Sequence, residues 1–332
     1  MPVAILLPLL AIAAIGLAQT SFFSQLGLSA LPLAIILGTT ISHLPQHQPN
    51  DQELLFIKFC QQRLLRLGII LFGFSLSFQQ IVAVGWQALV LDIFIILIVF
   101  CVGSFIGIKL FKLPRDMAIL TSVGSAICGA AAILATEASI KARQQHVTIA
   151  VATVVLFGTL AMFSYPFIYQ FSGISEQAFG IYIGSTAHEV AQAIAAGQTI
   201  SQNTMQTAVV VKLIRVMLLA PFILMLTIVL GKLDKTATND ESSKTKITIP
   251  WFVLGFIVTA GINSYIEIPQ PVLKTISFTS QFLLAIAMAA LGIQTHWQVI
   301  KSVGSKPILL AFILFILLLF GGFYLNSLLI SS

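Results

Sequence analysis

Apolar runs of about 15 to 25 residues repeat along the whole chain, separated by short polar segments. Wound as an α-helix, a run of that length crosses the hydrocarbon core of a bilayer; a barrel strand needs only about ten residues. Charged side chains make up 8% of the 332 residues, where a soluble domain carries roughly 25%. The chain therefore reads as an all-α polytopic membrane protein with about 10–11 transmembrane helices. Candidate spans fall at 3–18, 28–42, 56–78, 87–110, 117–139, 147–171, 178–197, 206–230, 249–267, 272–293 and 306–329. The first two are short, and a re-entrant segment would bring the count to ten. One transmembrane domain occupies residues 1–332, with the polar segment 231–248 as its one obvious loop.

The cations support this topology. With eleven spans, Lys58, Arg63, Arg66, Lys109, Lys112, Arg115, Lys232, Lys235, Lys244, Lys246, Lys301 and Lys306 share one side, and Lys141, Arg143 and Lys274 share the other. That bias places the N-terminus in the cytoplasm and the C-terminus outside. The first apolar run lacks a basic leader and reads as a retained span. A net charge of +6 spread over short loops, without a basic patch interleaved with aromatics, points away from nucleic acid. The three cysteines show no CxxC spacing, which suggests neither disulfide nor zinc.

Two internal similarities stand out. Phe59–Gly85 aligns without gaps on Phe278–Gly304, matching Gln62 with Gln281, Gly73 with Gly292, Gln79 with Gln298 and Gly85 with Gly304; the register continues to Gly103 and Gly322. Span 3 thus maps onto span 10, and the odd offset implies the inverted repeat of secondary transporters. A weaker similarity links spans 5–6 to 7–8, and its even offset does not fit the same scheme.

Polar residues inside the apolar runs mark the candidate site. Gly124, Ser125, Cys128 and Gly129 interrupt span 5, where a broken helix exposes backbone N–H groups suited to an anion. Close packing through small residues would explain Gly and Ala equally well. In span 7, Ser185, His188 and Gln192 follow i, i+3, i+7 spacing and are expected on one helical face, with Glu189 beside it. That face reads as a substrate path in which His188 or Glu189 carries a proton or coupling ion, or as a hydrogen-bonded brace between helices. Lys212 and Arg215 in span 8 share a face and need counter-charges, from a substrate anion or from Glu189 as a structural ion pair. His188-Glu189-Val-Ala-Gln192 imitates HExxH, but Gln192 stands where the second zinc ligand belongs, so no metal site is expected. Glu137 reads as an interfacial partner of Lys141 and Arg143; Asp92 and Glu267 are weaker candidates. No cofactor motif is present.

The segments Gly124–Glu137, Val151–Thr159, Gly184–Gly197 and Val211–Pro221, with Leu64–Gly68 and Ala290–Ile293, resemble the YeiH family of bacterial inner-membrane proteins, classed as sulfate exporters. The resemblance covers essentially the whole chain. It implies a secondary transporter with broken helices, similar in architecture to the bile-acid/sodium symporter type, in the bacterial inner membrane. The expected partners are a small anion such as sulfite or sulfate, H⁺ or Na⁺ as coupling ion, and lipid, with room for a homo-oligomer. Two other functions stay open: a sodium-coupled importer of an organic anion, and a membrane-embedded hydrolase using His188 and Glu189.

Overall fold

In the computed structural model, residues 2–20, 22–23, 29–43, 50–140, 142–233, 251–294 and 304–330 are described. The polar loop beyond residue 233 and the end of the second repeat copy, 295–303, lie outside them. Among the described residues every regular element is a helix. They are α1 (Val3–Ala18), α2 (Ala30–Ser42), α3 (Asp51–Phe59), α4 (Leu65–Phe72), α5 (Phe78–Ala83), α6 (Gly85–Phe105), α7 (Arg115–Ala126), α8 (Ala130–Ile140) and α9 (Gln144–Ser172). After these come α10 (Glu176–Thr186), α11 (Val190–Ile200), α12 (Gln202–Met217), α13 (Leu219–Leu233), α14 (Trp251–Tyr265), α15 (Gln270–Gln294), α16 (Ser305–Ile316) and α17 (Gly322–Leu329). Five continuous stretches are long and apolar enough to span: Gly85–Leu110, Gln144–Ser172, Gln202–Val229, Gln270–Gln294 and Ser305–Leu329.

Two of the expected spans, 117–139 and 178–197, are not crossings. Each is a re-entrant hairpin. In the first, α7 ends at Ala126, the chain turns through Ile127–Gly129, and α8 runs back. Asp116 at the start of α7 accepts hydrogen bonds from the N–H of Arg143 (3.3 Å) and the ring of His146 (2.7 Å), both beyond the end of α8. A straight helix would hold these residues roughly 40 Å apart at 1.5 Å per residue. The second hairpin closes the same way. Ser201 Oγ, just past α11, donates to Glu176 Oε2 (2.6 Å) in the first turn of α10, and Thr204 Oγ1 donates to the Glu176 carbonyl (3.2 Å). Each arm is 11 or 12 residues long. At that rise it reaches about 17 Å, halfway into a core of about 30 Å.

A long helix follows each hairpin and lies parallel to its first arm. The first hairpin's α7 touches α9 at Asp116–His146 and again at Gly124–Val154, at a constant separation in sequence. In the second, Gly180 lies against Thr207 and Gly184 against Val211 of α12, again in constant register. Because α9 starts at the base of the first hairpin and leads directly into α10, the two hairpins enter from opposite sides. The α7–α9 and α10–α12 units are therefore inverted relative to each other.

This resolves the conflict between the two sequence repeats. A Cβ on Gly73 of the first copy would meet Phe256 O at 2.6 Å on α14; one on the matching Gly292 would meet Thr39 N at 2.8 Å on α2. The helix before each copy thus packs on the other copy. On α6 and the π-helical turn Ile106–Leu110 that continues it, Gly103 meets Ser122 and Gly107 meets Ala118 of α7. At the matching positions of α17, Gly322 meets Thr186, and Asn326 donates to the Ala178 carbonyl (3.2 Å) of α10. Gly85 and Gly304 open their helices with φ of 80° and 84°, a left-handed conformation natural to glycine. One two-fold relation therefore carries both similarities. The even offset was an artefact of counting hairpins as crossings.

The correction also sharpens the charge pattern. The first hairpin returns to its side of entry, so Arg143 leaves the minority side. Lys141 lies outside the described residues, Lys274 keeps its place, and removing two crossings leaves the parity of the chain unchanged.

Candidate functional site

The hairpin tips meet midway through the protein, and α12 joins them. Lys212 and Arg215 are both fully buried there. Lys212 Nζ donates to Ile127 O of the first tip (2.7 Å) and to Ala187 O of the second. Arg215 Nε donates to Ala126 O (2.9 Å). Nη1 reaches Ser185 O (2.5 Å) and Ala187 O (3.2 Å), while Nη2 reaches Ser125 O (3.1 Å) and Ala126 O. All of these acceptors are last-turn or tip carbonyls, which a helix leaves without internal partners and which carry the negative end of its dipole. The five N–H bonds of the guanidinium are thus all engaged by backbone. Among the described residues Lys212 keeps one N–H free.

This changes the roles expected for several residues. Arg215 is tied to the protein's own carbonyls, and among the described residues it forms no ion pair with Glu189. Ser185, His188 and Gln192 do not share one helical face, because α10 ends at Thr186 and α11 begins at Val190. Ser125 offers its carbonyl to Arg215. Gly124 is a packing residue: a Cβ there would stand 2.7 Å from Ile133 Cδ1 and 2.9 Å from Val154 Cγ2. Gly129 forms the turn with φ of 66°. Close packing and a helix break thus both apply, five residues apart. Cys128 is buried between them.

The opposite ends of the breaks, the N-termini of α8 and α11, face Glu189. Its Oε1 would lie 3.0 Å from a Cβ on Gly129, and the N–H of Ala130 points at its carboxyl group. The Gln192 side chain accepts from the Glu189 N–H (3.1 Å) and packs against Gly158 of α9. Around the tips, several buried polar atoms have no hydrogen-bond partner among the described residues: Ser185 Oγ, Thr121 Oγ1, both ring nitrogens of His188 and Gln192 Nε2. Such atoms are rare in folded proteins and mark places where a ligand, ion or water completes the set. The second tip is braced from outside, Tyr165 OH bonding Thr186 Oγ1 (2.9 Å) and Tyr182 OH donating to Leu319 O (2.8 Å).

This arrangement occurs in a chain with close relatives. The family model described as conserved hypothetical protein 698 matches residues 2–311. The UPF0324 inner membrane protein YeiH of Escherichia coli strain K12 is 46% identical over 305 residues, 90% of this chain and 86% of that protein. This chain belongs to the UPF0324 family. The UPF0324 inner membrane protein YeiH of Salmonella typhi is 47% identical over 307 residues (92% of this chain, 87% of that protein). The UPF0324 membrane protein PA5383 of Pseudomonas aeruginosa is 42% identical over 321 residues (95% and 90%). No solved structure matches.

Asp92 joins this charged centre. Seven residues into α6 it looks close to the membrane edge, yet it is fully buried, with neither carboxylate oxygen hydrogen-bonded. Arg215, Ser185 and Lys212 are the polar groups it faces. With Glu189 it balances the two cations at the centre of this UPF0324 protein. The available signal was an acid placed among apolar helix residues, which rarely persists without a partner. Glu137 accepts from Gln144 Nε2; Lys141, one of the two cations expected to pair with it, lies outside the described residues. Near the base of the second hairpin, Leu76, Gln80, Val84, Gln177, Gln206 and Val210 line a cavity of about 200 Å³.

Proposed function

We propose that this protein is a secondary transporter, not an enzyme, that exports a small inorganic or sulfonated anion such as sulfite or sulfate. The supporting observation is the meeting of two oppositely inserted hairpins at buried, incompletely hydrogen-bonded tips. Irregular backbone at membrane depth is tolerated where it faces protein or a cavity, and substrate sites of inverted-repeat transporters lie at such junctions. Two half-helix N-termini, the free N–H of Lys212, Ser185 Oγ and the Gln192 amide supply donors for an anion. Arg215 and the remaining bonds of Lys212 hold the tips in register. His188 or Glu189 is the coupling group. The cation distribution puts the N-terminus in the cytoplasm and the C-terminus outside, in the membrane for which the YeiH relatives are named.

Flux of labelled sulfite and sulfate in proteoliposomes tests this. Saturable flux driven by a pH or sodium gradient is expected; no flux under either gradient rejects it. A second assignment, a sodium-coupled importer of an organic anion, draws support from the unpartnered oxygens of Asp92, Ser185 and Thr121, since hard cations favour oxygen ligands. Sodium-dependent stabilisation that Asp92→Asn abolishes would favour it.

A further inference from the structure

The carboxyl group of Glu189 occupies the place that an anion at the first hairpin's second arm would take. It lies over Gly129 with the Ala130 N–H directed at it, so it caps the positive end of α8 from the other hairpin. Only the absence of a side chain at Gly129 makes room for it, since a Cβ there would come within 2.7 Å of Glu189 Cγ. Among the described residues no Lys or Arg forms an ion pair with it. Beside it, Gln192 Nε2 and both nitrogens of His188 are buried and unpartnered, although the other end of the Gln192 amide holds the Glu189 N–H. A buried donor, Gln192 Nε2, therefore sits on the side chain already bonded to the Glu189 backbone and has no partner among the described residues.

We propose that Glu189 is a tethered stand-in for the transported anion, resting at the N-terminus of α8 when the site is empty and displaced when the anion binds. This rests on the anion-transport assignment above and specifies its coupling. The displaced carboxylate leaves the helix N-terminus and the Lys212 ammonium, the groups that stabilise its charge, and takes one proton from water. No covalent bond changes other than that O–H bond. One proton is thus bound for each anion bound, and it offsets one of the anion's negative charges. The other groups facing Glu189 are Cys128 at the first tip and His188 before it in sequence; α9 presents Val154 and Gly158, which do not titrate, and α2 meets α11 at Thr199, toward its far end.

The test uses full-length protein in detergent, with sodium sulfite and sodium sulfate as probes against sodium gluconate, and reads thermal stabilisation across pH and proton uptake in weak buffer. For wild type, affinity for the stabilising anion should rise about tenfold per pH unit of acidification over the range in which the carboxylate titrates, with proton uptake on binding. Glu189→Gln should bind the anion with no such pH dependence and no uptake. Glu189→Asp, which keeps the charge but withdraws it from Gly129, should bind more tightly than wild type at neutral pH. If wild type and both variants bind with the same affinity, pH dependence and uptake, the stand-in role falls while anion transport survives. If neither anion stabilises any of the three proteins, the anion assignment itself falls.

Discussion

Replacing Arg215 by lysine separates a structural tie from a substrate charge. The substitution keeps the positive charge and removes the fork. Arginine offers five N–H bonds in a plane and lysine three from one point. Of the five carbonyl contacts made by Arg215, at least two must be lost. Each hydrogen bond to a charged group contributes about 1.5–3 kcal/mol, so with two lost Arg215→Lys should lower stability by about 3–6 kcal/mol. In a chain of this size that is a fall in melting temperature on the order of 5–10 °C. Thermal unfolding of the anion-free protein in detergent measures it. Cys128, 5% exposed at the first tip, reports locally. In a background lacking Cys60 and Cys101, its maleimide labelling should accelerate in Arg215→Lys as the tip loosens. An unchanged melting temperature and labelling rate, with the anion response lost, would refute the tie and return Arg215 to direct substrate binding.

Topology gives a sharper qualitative test. The hairpin fold places Ala142 on the same face of the membrane as Lys112, and Ile174 on the opposite face; eleven crossings would reverse both relations, so accessibility of cysteines at these three positions to impermeant reagents decides between them. Gly129→Ala should abolish transport, because φ of 66° costs an alanine about 1–2 kcal/mol and its Cβ displaces Glu189; flux equal to wild type would contradict the tip geometry. At the base of the first hairpin, burial alone would raise the Asp116 carboxyl, but hydrogen bonds from His146, Arg143 and Met117 outweigh it and hold it below the usual carboxylate range. A depressed folded-state value means that this stabilisation is present above about pH 4 and is lost as pH falls through the folded value. The gap in melting temperature between wild type and Asp116→Asn should therefore close on acidification, and a gap that widened would overturn the assignment.

The sequence alone determined that this chain lives in a bilayer, because length and hydrophobicity of a helix are local properties. It also located the first break, since Gly129 weakens a helix wherever it occurs, but the i, i+3, i+7 spacing of Ser185, His188 and Gln192 reads as one continuous face and hides the second. The 59–85 and 278–304 repeat was legible because glycines at close approaches leave a pattern that apolar residues do not. Direction was hidden. A break between two apolar half-helices looks the same whether the chain continues across the membrane or turns back, and hydropathy has no term for it. Only the contacts of Asp116 with His146 and of Glu176 with Ser201 settle the matter, pairing residues distant in sequence. The charged centre was misjudged for the same reason. Lys212 and Arg215 were visible as buried cations in need of partners, but the partners are backbone carbonyls, which every residue has and no sequence marks. Asp92 looks peripheral in the sequence because distance from a membrane edge runs along the chain, while burial is decided by the neighbours that folding brings.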